Sequence, residues 1–266
     1  MGKTARRIVL ALMLVAVIVP IVPMVMWSFT DMWSFGQVVP EFSLRAWERT
    51  LAGSTRVPGA MVNSLMLCAI VVPLSLALSF YAAKNLGVRR FRGRRVIQLL
   101  LLVPSFMPQI ALVFGMQKVF SRVGLYNNVP GVVVALLVIY VPYMTLLLSA
   151  VFETYNMDYE HQARTLGVSH WQVLWHVTLP QVRSGVIVTC IFSFIGVWSA
   201  YLVVAAVAPP AFKTMSMVMF PMITTAAGGY ATTACAAILY ILPILAVLVV
   251  FSRLLVNDSK HLDTGV

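Results

Sequence analysis

Charge is scarce in this sequence. Aspartate and glutamate together number eight in 266 residues, and all charged types make up 10% of the chain, where soluble proteins carry roughly 25%. Six runs, 8–29, 60–83, 96–117, 129–152, 184–207 and 230–251, contain no Asp, Glu, Lys or Arg at all. Carriers driven by an ion gradient keep ionisable groups at bilayer depth because only function justifies their cost there, so these empty runs argue against that class. The same poverty leaves an intramembrane enzyme nothing to work with: there is no nucleophile beside a partner base, no carboxylate pair and no HExxH. Cys68, Cys190 and Cys235 fall inside apolar runs without a CxxC, and His161, His170, His176 and His261 form no i, i+4 pair. This spacing argues against a disulfide framework and against a metal site.

What is present is apolar. Hydrophobic residues make up 61% and the mean hydropathy is +0.92, which places the chain among integral membrane proteins. Each charge-free run is long enough for a helix to cross a bilayer, which takes about 20 residues. The expected fold is therefore all-α: six transmembrane helices forming one membrane domain over residues 1–266. The run 8–29 ends in Trp27-Ser28-Phe29 without a small-residue cleavage pattern, so it reads as a retained first helix, not a signal peptide. The formal charge of +11 sits beside the apolar runs, with its densest cluster at Arg89, Arg90, Arg92, Arg94 and Arg95. It therefore specifies orientation in lipid and not a nucleic-acid partner. The positive-inside rule puts both termini and the loop 153–182 in the cytoplasm. The outer loop 30–59 carries Trp33, Phe35, Phe42 and Trp47, either an interfacial belt or a docking surface for an external partner. The stretch 208–229 is too broken to span and reads as an external segment lying against the bundle.

Loop 153–182 is the long polar interruption on the cytoplasmic side. Gly167 supplies the left-handed conformation that closes a helix, and Ser169 followed by Gln172 forms a capping box that opens another. Pro180 forbids continuation. Two short helices joined by a sharp turn result, with Trp171, Leu174 and Trp175 on one face of the second.

Gly167, nine residues, Val177, one residue, then Leu179-Pro180 resembles the cytoplasmic loop motif of binding-protein-dependent ABC importer permeases: Glu-Ala-Ala, three residues, Gly, nine residues, Ile, one residue, Leu-Pro. In register, Glu-Ala-Ala becomes His161-Gln162-Ala163, and the nearest acid, Glu160, lies one residue early, about 100° away on a helix. The resemblance implies a type I importer fold, with a cytoplasmic helix-turn-helix coupling loop between helices 4 and 5. It further implies a bacterial inner-membrane location, a second permease subunit, two ATPase subunits beneath the pair and an external solute-binding protein. ATP and Mg would belong to the partner ATPase, with no cofactor or catalytic residue in this chain. Carried onto these positions, Glu160, His161 and Ala163 would face the ATPase, Gly167 would make the turn, and Leu179 and Pro180 would return the chain to the bundle. His161 at the motif's acid position implies a heterodimer whose other permease retains the glutamate.

The solute is less legible. Leu166 before Gly167, with Val177-Thr178-Leu179-Pro180, resembles permeases for polyamines, phosphonates or iron; Phe194-Ile195-Gly196-Val197-Trp198-Ser199-Ala200-Tyr201 resembles the aromatic stretch of the sugar group. The expectation is a small polar solute of the polyamine or phosphonate kind, the alternatives being a sugar or an ion-driven carrier. Candidate pathway residues are Ser105 and Gln109, each directly after a proline in Pro104-Ser105-Phe106-Met107-Pro108-Gln109, and Ser193, Trp198, Ser199 and Tyr201. For the first pair the other reading is a kink in the third helix; for the second group it is helix packing.

Overall fold

A computed structural model describes residues 3–31, 41–52, 55–225 and 229–263. Trp33, Phe35 and the glycine pair Gly228-Gly229, save for Gly229 itself, lie outside that set, as does the side chain of His261. The chain runs through α1 (Lys3–Ile18), α2 (Ile21–Ser28), α3 (Arg45–Leu51), α4 (Val57–Val88), α5 (Arg94–Phe106), α6 (Gln109–Val123) and α7 (Val129–Glu153). It continues with α8 (Asp158–Thr165), α9 (His170–Val173), a π-helical turn Leu174–Thr178, α10 (Leu179–Trp198), α11 (Tyr201–Val207), α12 (Met215–Thr225) and α13 (Gly229–Asp263). Among the described residues there is no strand, only an isolated bridge between Thr30 and Phe42.

Among the described residues, four stretches are helical, long and apolar enough to cross a membrane: Val57–Val88, Val129–Glu153, His170–Trp198 and Gly229–Leu254. The expected span 96–117 is instead a bent pair, α5 and α6 meeting at 97°. Pro108 disfavours helical backbone in the residue before it, and Met107 is accordingly extended, at φ −70° and ψ 138°. The run 8–29 is likewise divided at Val19-Pro20 between α1, of 16 residues, and α2, of 8. Hydropathy registers the apolar run; the prolines decide whether it stays one helix.

Two compact units emerge, residues 1–62 with 213–243 and residues 63–212 with 244–266. In the first, Ala46, Ala231 and Cys235 form a small core against Trp47. Trp27 stacks on Tyr230 at 5.4 Å, and Asp31 pairs with Arg45 at 3.3 Å and Arg49 at 3.2 Å. Trp47 of the outer-loop aromatics is thus a packing residue, while Phe42 is 72% exposed. The expected external segment includes α12, whose Met215, Ser216, Met219 and Met222 are buried.

The second unit is built on a core of Phe80, Ala83, Leu148, Phe152, Val182 and Val186, from α4, α7 and α10. Phe80 meets Phe152 edge-on at 5.3 Å. Close approach of α4 to α7 is possible because position 87 is glycine: a Cβ there would stand 2.4 Å from Phe152 Cβ and 2.6 Å from the Ser149 carbonyl oxygen. At the other end of α7, Asn128 caps the helix by accepting from the Gly131 amide at 2.7 Å, with Pro130 in the first turn, where its missing N–H costs nothing.

Candidate functional site

The segment 153–182 folds as two short helices about a sharp turn. α8 closes with Gly167 at φ 79°. The Gly167 amide donates to the Arg164 carbonyl at 3.0 Å and the Val168 amide to the Ala163 carbonyl at 3.2 Å, the bond pair of a Schellman ending. Ser169 opens α9 with both halves of the capping box to Gln172 in place. Pro180, in contrast, does not stop the chain. It sits in the first turn of α10, and the ladder before it widens to a π turn in which the Leu179 amide reaches back five residues to the Leu174 carbonyl. The widened turn lets the helix accept a proline that has no N–H and would crowd the preceding turn. α9, the π turn and α10 therefore make one long element, His170–Trp198.

Glu160 corrects the expectation made for it. It does not face outward: it is 1% exposed, and its Oε1 accepts from Lys84 Nζ, the Tyr155 hydroxyl and the Thr178 hydroxyl, each at 2.5 Å. Arg164 lies 3.8 Å from Oε2. Burial pushes the carboxyl of Glu160 upward, but the hydrogen bonds from Lys84, Thr178 and Tyr155 and the charge of Lys84 outweigh it and hold the group below the ordinary carboxylate range. Burial and the bond to Glu160 raise the Tyr155 hydroxyl, so it stays a donor. Lys84, Tyr155 and Thr178 were not legible as a group; the isolated lysine at the end of a long apolar run was the available signal.

The outer surface of the segment belongs to other residues. His161, Gly167 and Pro180 are exposed, and Ala163 and Leu179 are half-buried. Tyr159, Leu166, Trp171 and Trp175 add apolar side chains that are 55%, 82%, 69% and 60% exposed.

A second feature lies in the same unit. A cavity of about 300 Å³ is lined by Gln109, Ile139, Tyr140, Gly196, Ser199 and the first residues of α11, Tyr201 among them. It opens where two helix interruptions face each other. One is the α5–α6 bend, after which Gln109 begins α6; the other is the break between α10 and α11, where the Tyr201 amide bonds the Ser199 carbonyl at 2.8 Å. In membrane proteins such broken backbone is tolerated where it is covered by protein or lines a cavity. α6 and α11 are tied by Gln117 Nε2 donating to the Ala206 carbonyl at 2.8 Å. Gly196 makes room for Tyr140, since a Cβ there would stand 2.6 Å from the ring and 2.7 Å from its hydroxyl oxygen.

Of the pathway candidates, Gln109, Ser199 and Tyr201 come together on this cavity. Ser105 is exposed elsewhere, Ser193 is fully buried, and Trp198 is 1% exposed and stacked on Phe194 at 5.9 Å. Tyr140 and Gly196 were missed; a glycine inside an aromatic stretch was the clue to a close approach.

Residues 69–260 match the model of a family described as binding-protein-dependent transport system inner membrane component. The chain belongs to that family. It is an inner-membrane permease component of an ABC importer, a class that is not catalytic in itself. Among its relatives this permease is 25% identical over 261 residues to the diacetylchitobiose uptake system permease protein NgcG of Streptomyces coelicolor, covering 91% of this chain and 83% of that one. It is 29% identical over 140 residues to sulfate permease 2, chloroplastic, of Chlamydomonas reinhardtii, where the match takes in 48% of this chain and only 38% of the relative. A chain in the crystal structure of a bacterial ABC transporter involved in the import of the acidic polysaccharide alginate has the same fold. The TM-score is 0.73 at 18% identity, with 95% of this permease and 98% of that chain covered.

Proposed function

We propose that this permease forms half of the translocation pathway for a neutral polar solute of saccharide type. The observation that carries the reading is the cavity at the two helix breaks. Its lining holds amide, hydroxyl and phenol groups and no charged side chain. Aromatic faces with a few hydrogen-bonding groups suit a polyhydroxylated neutral solute held briefly. A polyamine, the expectation drawn from Leu166 and the 177–180 sequence, is a cation that a lining without carboxylates suits poorly. Relatives named for diacetylchitobiose and for trehalose support the sugar alternative instead.

The remaining architecture follows the family. We place six crossings in the bilayer, with α1–α2 and the α5–α6 pair each serving as one broken crossing, both termini and the 153–182 segment in the cytoplasm, and two ATPase subunits below. An external binding protein delivers the solute and a second, different permease completes the pathway. The exposed edge of α8, α9 and the π turn, with His161, Leu166, Trp171 and Trp175, docks into the ATPase.

The test is uptake by cells carrying the complete system. Labelled neutral oligosaccharides are expected to accumulate in competition with one another, while spermidine and sulfate neither accumulate nor compete. Uptake of either ion with no saccharide uptake would overturn the reading. Because His161 is exposed at the docking edge and the partner permease supplies its own acid, His161→Glu is expected to leave saccharide uptake within about twofold of the parent or to raise it, given that surface charge pairs are worth ~0–1 kcal/mol.

A further inference from the structure

Glu160 is the one buried residue of α8. Its neighbours on that helix are exposed or partly so, including Tyr159 at 55%, so the attachment of α8 to the body of the protein does not rest on apolar packing. It rests on one carboxylate oxygen, which takes a bond from each of three separate elements: Lys84 near the end of α4, Tyr155 just beyond α7, and Thr178 in the π turn that leads into α10. The Tyr155 hydroxyl also reaches the Thr178 hydroxyl at 3.3 Å, and Lys84 Nζ lies 5.7 Å over the Tyr155 ring. Apolar contacts let a helix slide or rotate at small cost. Bonds from three directions onto one atom do not, and a low local dielectric strengthens each of them.

We infer that Glu160 is the positioning residue of the coupling segment, an internal tie through which motion of α8 is passed to α4, α7 and α10 together. This rests on the coupling role proposed above. In that role a push on α8 from the ATPase becomes movement of three bundle helices only if α8 cannot turn independently of them. The tie meets the requirement, whereas an outward-facing acid would grip the ATPase and leave α8 free to swivel on its own stem.

The experiment uses the reconstituted transporter with both permeases, its ATPase and its binding protein, and reads solute moved per ATP hydrolysed. In the double variant Lys84→Met/Glu160→Leu both charges go together, leaving no unpaired charge inside and an apolar contact to seat α8. A cysteine at Thr165 reports docking by crosslinking to the ATPase. The expected result is a retained crosslink with solute per ATP reduced by about tenfold or more, while Lys84→Arg, which keeps the cation, stays within about twofold. Unchanged solute per ATP in the double variant would overturn the inference. Should that variant fail to assemble, Thr178→Val removes one of the three donors without stranding a charge. It is expected to lower the ratio about two- to fivefold, and an unchanged ratio there overturns the inference equally. Failure of the underlying reading looks different: the Thr165 cysteine would give no crosslink in the otherwise unaltered chain, and both proposals would fall.

Discussion

Replacing Lys84 alone by methionine will destabilise the protein more than replacing Lys84 and Glu160 together. The single change leaves a carboxylate, 1% exposed, with two hydroxyl donors and, as counter-charge, only Arg164, which lies 3.8 Å from Oε2 and is itself 47% exposed. Breaking a buried ion pair from one side costs about 3–5 kcal/mol, whereas exchanging the whole pair for apolar residues is often neutral. Thermal unfolding of the purified transporter in detergent should therefore show a large fall in Tm for Lys84→Met and a small one for Lys84→Met/Glu160→Leu. If the two variants fall equally, the pair is not coupled. pH adds an independent check. Glu160 is held below its ordinary range, so its contribution is fully present above the unfolded carboxylate value of about 4.3 and is lost only as pH falls through the lower, folded value. The parent protein should thus keep this contribution down to about pH 5. In Lys84→Met the cation that depressed the group is gone, protonation becomes the cheaper way to bury it, and the deficit relative to the parent should shrink as the solution is acidified. A deficit that stays constant or grows toward low pH would show that Lys84 acts by packing its methylenes and not by its charge.

The local chemistry of this segment was legible in advance because it is local. Gly167, Ser169 and Gln172 act on backbone within four residues, and each does what its type and spacing require. Pro180 misled for the opposite reason. Whether a proline ends a helix depends on how the preceding ladder adjusts, and here a π turn, which composition does not announce, absorbs it. Glu160 misled similarly. An acid on a short polar helix reads as solvent-facing unless the positions of Lys84 and Thr178, 76 and 18 residues away, are known. The same division runs through the pathway candidates. Prolines 104 and 108 marked the bend and led to Gln109, and hydroxyls beside aromatics led to Ser199 and Tyr201. Which face of α10 turns inward was not fixed by a helix apolar nearly all round, so the burial of Ser193 and Trp198 could not be foreseen. The crossings show it too, since hydropathy counts apolar length but is blind to the breaks at Val19-Pro20 and Met107-Pro108.

Two glycine-to-alanine changes should separate fold from pathway, because the same added methyl meets different obstacles. At Gly87 it would meet backbone and Cβ atoms of α7, at 2.4 Å from Phe152 Cβ, 2.6 Å from the Ser149 oxygen and 2.9 Å from the Phe152 carbonyl carbon. None of these can move without shifting a helix, so Gly87→Ala forces α4 and α7 apart and should cost about 1–3 kcal/mol, the usual penalty of overpacking. The amount of folded protein falls, while uptake per folded molecule changes little. At Gly196 every close neighbour belongs to the tip of the Tyr140 side chain, which can rotate. The backbone stays and the ring gives way, altering the wall of the cavity that Gln109, Ser199 and Tyr201 share with it. Gly196→Ala should therefore leave Tm nearly unchanged and lower saccharide uptake per folded molecule by about tenfold, the rate equivalent of about 1.4 kcal/mol. Pairing it with Tyr140→Phe, which removes the hydroxyl that stands 2.7 Å from the new methyl, should recover part of the loss. Normal uptake in Gly196→Ala, with Tyr140 displaced, would mean that the solute does not pass this cavity and that the helix breaks facing it serve bending alone.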